Sequence, residues 1–253
     1  MQESSAQAGG QRLVGLLVAG GRGERCGTGE PKQFRVLDGR MLLEYAAEAL
    51  HDSPLVHGVA IVVPAGWQDR VRSRLAAAGL ADKLVALVAG GEVRRESVWR
   101  GLQALDGFTH VLIHDAARPF LTQRLIRDAV AAVHRHGAAT VALQVSDTLM
   151  RGEVAEESAV TALDRRGVWA VQTPQVFELG LIRAAHERAR EQGRDATDDG
   201  SLVLDLGREV DLVPGNWWNI KVTREEDLRR AHCILKMRKL LLEEGEEDGA
   251  CSE

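Results

Sequence analysis

Between residues 13 and 145, short aliphatic runs alternate with segments of helical spacing, and this alternation restricts the fold more than any other feature of the chain. The runs occupy 13–18, 58–64, 84–88, 110–113 and 139–145. Each is short and nearly unbroken in aliphatics, the signature of a strand buried on both faces. The segments between them, 41–50, 67–78, 96–105 and 122–135, are read as helices. In the first, Leu42, Leu43, Ala46, Ala49 and Leu50 fall on one helical face. Gly79 and Gly137 stand where helices end, and Thr122 stands where one begins. Strand–helix alternation of this kind predicts an α/β fold, a mostly parallel, Rossmann-like sheet with helices on both faces. Such sheets bind ligands at the carboxyl ends of their strands.

At 146–168 the rhythm breaks, with no apolar helical face to cover a sheet. This segment is expected to project as a β-arm, with a turn near Gly152 and residues 159–163 as its partner or as a second arm strand. Helices are predicted at 178–192, 199–206 and 223–242, and a strand at 209–213. Residues 1–10 form a disordered lead, 11–235 a single domain that includes the arm, and 236–253 the end of the last helix with an acidic tail.

A chain of 253 residues, 45% hydrophobic, can build one generous core. The net charge of -5 argues against a nucleic-acid partner. Cys26, Cys233 and Cys251 have no metal-binding spacing and suit free thiols in a reducing compartment. No run is long enough to span a membrane, and the first ten residues lack a signal peptide's apolar centre. A cytoplasmic enzyme or binding protein fits these limits.

The glycine turn after the first run, Ala19-Gly20-Gly21-x-Gly23, carries Arg25 and then Lys32 behind it. Glycines let backbone N–H groups approach an anion, and the cations suit a polyphosphate. No Gly-Lys pair opens a helix here, which excludes a Walker loop, and Cys26 fills the place of the third glycine in a dinucleotide fingerprint. Gly90-Gly91-Glu92 with Ser97 offers backbone and hydroxyl groups to a base edge, or is a solvated helix start. Asp115 ends a buried strand, where a carboxylate is costly unless it meets a cation or a metal. It could hold Mg²⁺, meet a substrate hydroxyl or pair with Arg118, and His114 reads as packing. Thr173 and Thr197 lie in strings rich in hydroxyl-bonding side chains. Thr223 can cap the last helix with Glu226 in a capping box, and Lys221 precedes it on a strand segment. Trp217 and Trp218 read as packing.

Six strings together resemble the sugar-phosphate nucleotidyltransferases, and within them the 2-C-methyl-D-erythritol 4-phosphate cytidylyltransferases of the non-mevalonate isoprenoid pathway. They are AGGxGxR with PKQ, GGExRxxSV, HDAARPF, DT with the arm's Asp164-Arg165, TPQ with TDD, and NIKVTxxxDL, spread over about 13–230. The resemblance implies transfer of a cytidylyl group from CTP to a small sugar-alcohol phosphate, with Mg²⁺ or another divalent cation. It implies that Ala19, Gly20, Gly21, Gly23, Gly91, Glu92, Ser97 and Asp115 hold CTP. Arg25, Lys32 and Lys221 would be catalytic. Asp115, Arg118, Thr148, Arg165, Thr173, Thr197 and Thr223 would bind the sugar phosphate, the arm residues reaching across a homodimer. Two departures stand out: Cys26 where the family often has Met, and Met150 where a lysine is common. Ribitol or ribulose 5-phosphate as acceptor, a non-catalytic nucleotide-binding regulator and a dinucleotide oxidoreductase are the competing readings.

Overall fold

In a computed structural model, residues 10–20, 31–152 and 160–243 are described. Strand β1 (Leu13–Val18) leads, through a short 3-10 turn (Lys32–Phe34), to a small ladder of β2 (Val36–Leu37) and β3 (Arg40–Met41). Then follow α1 (Leu42–His51), β4 (Val56–Val63), α2 (Gln68–Ala77), β5 (Leu84–Ala89), α3 (Arg94–Gln103), β6 (His110–Asp115), α4 (Gln123–His136) and β7 (Ala138–Gln144). The arm is β8 (Leu149–Arg151) and β9 (Thr161–Leu163). The chain continues with β10 (Trp169–Glu178), α5 (Leu179–Glu191), α6 (Asp199–Asp205), β11 (Asp211–Pro214) and α7 (Glu225–Glu243).

Seven strands form one sheet in the order β11-β7-β10-β6-β1-β4-β5. All are parallel except β10, which runs antiparallel between β6 and β7. The aliphatic pattern does not predict this strand. Gln172, Thr173 and Gln175 interrupt it, and its register slips between Val171 and Gln175. That slip sets Thr173 beside the end of β6, where its hydroxyl accepts from the Asp115 N–H at 3.1 Å.

Side-chain alternation along the strands sorts the core into two layers. Leu13 and Leu17, with Ile61 and Val63, pack under α1, α2 and α4. Val14, Leu16 and Val18, with Ala60 and Val62, pack under α3, α5 and α6. Both faces are covered, which is why the runs read as unbroken aliphatics. A third cluster, Leu37, Leu42, Phe120, Trp218, Val222, Ala231 and Ile234, seats α7 on the β2–β3 ladder. Among the described residues, no helix is long and apolar enough to cross a membrane.

Some expectations need correction. The arm's two strands pair with each other, Leu149 opposite Leu163, so the expected partner at 159–163 is Thr161–Leu163, and residues 153–159, with the turn expected near Gly152, run outside the described residues. Glu226 does not close the last helix. Asp227 does, its Oδ2 accepting from the Thr223 hydroxyl at 2.7 Å and from the N–H groups of Thr223 and Arg224. Lys221 sits in an irregular segment, not a strand. Trp218 is buried as expected, but Trp217 is half exposed.

Helix α3 lies close to the sheet because Gly101 has no side chain. A Cβ there would stand 2.7 Å from Leu16 Cδ1 and 2.8 Å from Val62 Cγ2, both in the buried core. Overpacking of about 1–3 kcal/mol should outweigh the gain of up to about 1 kcal/mol that alanine brings to a helix. Gly101→Ala should therefore lower the urea midpoint. Gly180→Ala in α5, where a Cβ meets nothing within 4 Å, should leave it unchanged or raise it. Equal shifts in the two variants would contradict this account of the α3 seat.

Candidate active site

Two loops touch at the carboxyl edge of the sheet. A Cβ on Gly90 would lie 2.9 Å from the Gly20 Cα, so the ends of β1 and β5 can meet only with glycine at both places. Beside this contact a cavity of about 240 Å³ is lined by Gly20, Pro64, Ala65, Gly90, Gly91, Glu92 and Arg100. The N–H groups proposed for base reading are already used within the loop. The Gly91 N–H donates to Ser97 Oγ at 3.0 Å, and the Glu92 N–H donates to Glu96 Oε2 at 2.9 Å. Ser97 is buried, and its hydroxyl donates a hydrogen bond to Val93 O at 3.1 Å. Its hydroxyl shapes the loop instead of standing open to a ligand.

The second feature is a buried carboxylate ringed by cations. Asp115 ends β6 at 6% exposure. Lys221 Nζ lies 2.6 Å from Oδ2 and Arg94 Nε 3.2 Å from Oδ1, while Arg118 Nε is more distant at 3.9 Å. The expected Arg118 pair is thus the weakest of the three. Arg118 instead donates to Asn219 O at 2.7 Å. Burial alone would raise the Asp115 pKa, but the charges of Arg94, Lys221 and Arg118 and the Lys221 hydrogen bond hold it far below the usual carboxylate range. A cavity of about 130 Å³ opens here, lined by Val18, Ala19, Gln33, Arg94, Asp115, Ala117 and Lys221.

Behind this cluster stands a shell that local sequence patterns do not assign. Arg94 Nη2 lies 2.8 Å from Asp199 Oδ2, and His186 Nε2 lies 3.0 Å from Asp199 Oδ1. Burial disfavours the Asp199 charge, and Arg94 and His186 outweigh it, so its pKa is lowered. Gln175 Oε1 accepts from the N–H groups of Asp199 and Gly200 and fastens the start of α6 to β10. Asn219 Nδ2 donates to Gln172 Oε1 and to Thr173 O, tying the Lys221 segment to the same strand. The TPQ and TDD strings mark this region, but Thr173, Gln175 and Asp199 face inward. No sequence period reveals that Arg94 and Asp199, on different helices, meet.

The expected site residues divide accordingly. Ala19, Gly20, Gly91, Glu92, Asp115 and Lys221 line the two cavities. Thr173 is buried, its hydroxyl 3.1 Å from His114 Nδ1, and Thr223 is tied to Asp227. Thr148, Arg165 and Thr197 are exposed, the first two in the arm. Gly21, Gly23 and Arg25 lie outside the described residues, as does the Lys32 side chain. Among the described residues, no group of three His, Cys, Asp or Glu could hold a metal. Asp115 has a cation on each oxygen, a poor fit to a resident metal ligand.

Comparison with known proteins gives a consistent result. The family model IspD, 2-C-methyl-D-erythritol 4-phosphate cytidylyltransferase, matches residues 13–237. A bifunctional enzyme IspD/IspF of Desulforudis audaxviator is 44% identical over 88% of this chain, which spans only 56% of that relative's length. A 2-C-methyl-D-erythritol 4-phosphate cytidylyltransferase of Thermotoga neapolitana is 40% identical over 88% of this chain and 96% of its own. The crystal structure of a 2-C-methyl-D-erythritol 4-phosphate cytidylyltransferase from Thermus thermophilus superposes with a TM-score of 0.72 at 35% identity, covering 88% of this chain and 98% of that one.

His114, next to Asp115, gives a pH signature. It is fully buried, and burial pushes its imidazole down from 6.5 to about 4. The unfolded chain takes up the proton near pH 6.5 and the folded chain does not, so this stabilisation is complete above pH 6.5 and is lost as pH falls toward 4. Between pH 7 and 4.5 the wild type should lose roughly 2–3 kcal/mol more unfolding free energy than His114→Gln, measured by urea titration. Parallel pH curves would show that His114 is not held neutral.

Proposed function

The chain belongs to the 2-C-methyl-D-erythritol 4-phosphate cytidylyltransferase family, and we propose that it is a cytoplasmic enzyme that transfers the cytidylyl group of CTP to 2-C-methyl-D-erythritol 4-phosphate, releasing pyrophosphate. The observation that carries this reading is the cation group gathered on Asp115 beside the Gly20–Gly90 contact, at the carboxyl ends of the strands. In this reading residues 11–235 form the catalytic unit.

The attacking group is a phosphate oxygen that is already anionic. It forms a bond to the α-phosphorus of CTP as the bond to pyrophosphate breaks, so no protein base is required. His114 is unsuited to such a role in any case, being buried with both ring nitrogens engaged by Thr173 and Arg118 O. The obstacle is repulsion between two anions, which fixed cations relieve, most of all in the charge-rich pentacoordinate state. Arg25, Lys32 and Lys221 are assigned to that task. Lys221 waits against Asp115, and an entering phosphate competes for its ammonium group. A divalent cation, Mg²⁺ in the family reading, would be held mainly by triphosphate oxygens and would neutralise part of their charge.

Gly91 and Glu92 border the cavity assigned to the cytosine, with Ser97 bracing their loop. Thr148 and Arg165 are assigned to the sugar phosphate, reaching it from a second copy of the chain. The arm supports that arrangement. Among the described residues its three-residue strands pair only with each other in a two-stranded sheet, and Met150 and Val160 are exposed. A lone hairpin is marginal in water, whereas a two-fold dimer would cover it.

A pyrophosphate-release assay tests the reaction. CTP with methylerythritol phosphate should turn over, and UTP, ATP, or ribitol 5-phosphate as acceptor should be far poorer. Lys221→Ala should lower kcat by roughly 10²–10³. Preference for ribitol 5-phosphate would move the assignment to another acceptor, and no turnover with any pair would reject catalysis. The shared site has its own test. Lys32→Ala and Arg165→Ala chains, each inactive alone, should regain up to about a quarter of wild-type activity when co-expressed and paired at random. Isolated mixed dimers as inactive as their parents would rule out the crossed arm.

A further inference from the structure

A second carboxylate stands against Arg94 that the reaction described above does not use. Asp199 opens α6 and is 1% exposed. One guanidinium is divided between two acids, Nε at 3.2 Å from Asp115 Oδ1 and Nη2 at 2.8 Å from Asp199 Oδ2. Asp199 is in turn fixed from behind. His186, fully buried and stacked near Trp99, approaches its other oxygen at 3.0 Å, and Gln175 accepts its backbone N–H at 3.0 Å.

An arginine that faces a single carboxylate tends to pair with both oxygens at once. Here Asp199 draws one edge of Arg94 away, and Asp115 Oδ2 is left to Lys221 at 2.6 Å. We propose that Asp199 is a positioning residue: by holding one edge of Arg94 it reserves Asp115 Oδ2 for Lys221 and so sets where the Lys221 ammonium stands. This rests on the cytidylyl-transfer reading and adds to it a residue that touches neither substrate. Without the Asp199 charge, Arg94 turns to both oxygens of Asp115 and displaces Lys221. The cations that attract the triphosphate all remain. The loss therefore falls on the chemical step, which needs the ammonium in place, and not on CTP capture.

The test is a double-variant cycle in the pyrophosphate-release assay, with CTP binding measured by calorimetry. Asp199→Asn should lower kcat by roughly 10- to 100-fold, the scale for misplacing a catalytic group. The Kd for CTP should stay within about threefold. In a Lys221→Gln background, Asp199→Asn should cost less than about twofold more, because the group it positions is already gone. Asp199→Glu keeps the charge but moves it by one methylene. It provides a folded variant should the asparagine protein be unstable, and its smaller kcat loss should be masked by Lys221→Gln in the same way. Losses that multiply in the double variant, or a change confined to CTP affinity, overturn the assignment while leaving the reaction intact. A wild type that releases no pyrophosphate overturns the reaction and this assignment with it.

Discussion

Everything at the candidate site depends on keeping one carboxylate ionised out of water. Asp115 sits at the end of a central strand, where a bare charge would be prohibitively costly. Arg94 from α3, Lys221 from the segment before α7 and Arg118 from the turn after β6 each bring a positive charge to it. Removing one partner of such a pair leaves a buried uncompensated charge, on the order of 3–5 kcal/mol. Asp115 can therefore stay ionised only with cations beside it, although Arg94 is shared with Asp199 and Arg118 also donates to Asn219 O. Side chains scattered from Arg94 to Lys221 along the sequence become one electrostatic unit when the fold closes.

The sheet makes that closure possible. Parallel order places the ends of β1, β4, β5 and β6 at one edge, so four loops converge without a long connection. The antiparallel β10 then threads between β6 and β7 and supplies the polar brace. Thr173 holds the Asp115 backbone, Gln175 anchors α6, and Gln172 meets Asn219. These bonds satisfy groups that would otherwise be buried unpaired, and they leave little slack in the cluster. Rigidity of this kind suits a reaction driven by alignment and charge more than by a reactive side chain.

The sequence carried much of this and missed particular parts for physical reasons. The aliphatic runs revealed five of the seven main strands and the helices between them, because strands covered on both faces must be apolar throughout, and the strand expected at 209–213 is the sixth, β11. β10 was missed because its middle, QTPQ, serves the site and not the core. Asp115 could be identified as a charge in need of a partner, but its nearest partners could not. Arg118, three residues along, was the local candidate, whereas Lys221 and Arg94 come closer. Asp199 looked like the start of a helix, which it is, and nothing local shows that its side chain turns inward to Arg94. Glu226 fitted a capping pattern, yet Asp227 reaches the backbone first with a shorter side chain. Local spacing speaks for periodic structure, and charge pairing across the sheet is a tertiary fact.

The most direct test is the titration of Asp115 itself. In protein labelled with ¹³C at aspartate Cγ, with the signal assigned by its loss in Asp115→Asn, the chemical shift can be followed as pH is lowered. The account predicts an ionised carboxylate whose signal does not move through the ordinary carboxylate range, around pH 4, and changes only when the acid unfolds the protein. A signal that titrates at or above the usual aspartate value would contradict it, because the three cations would then not be holding that charge.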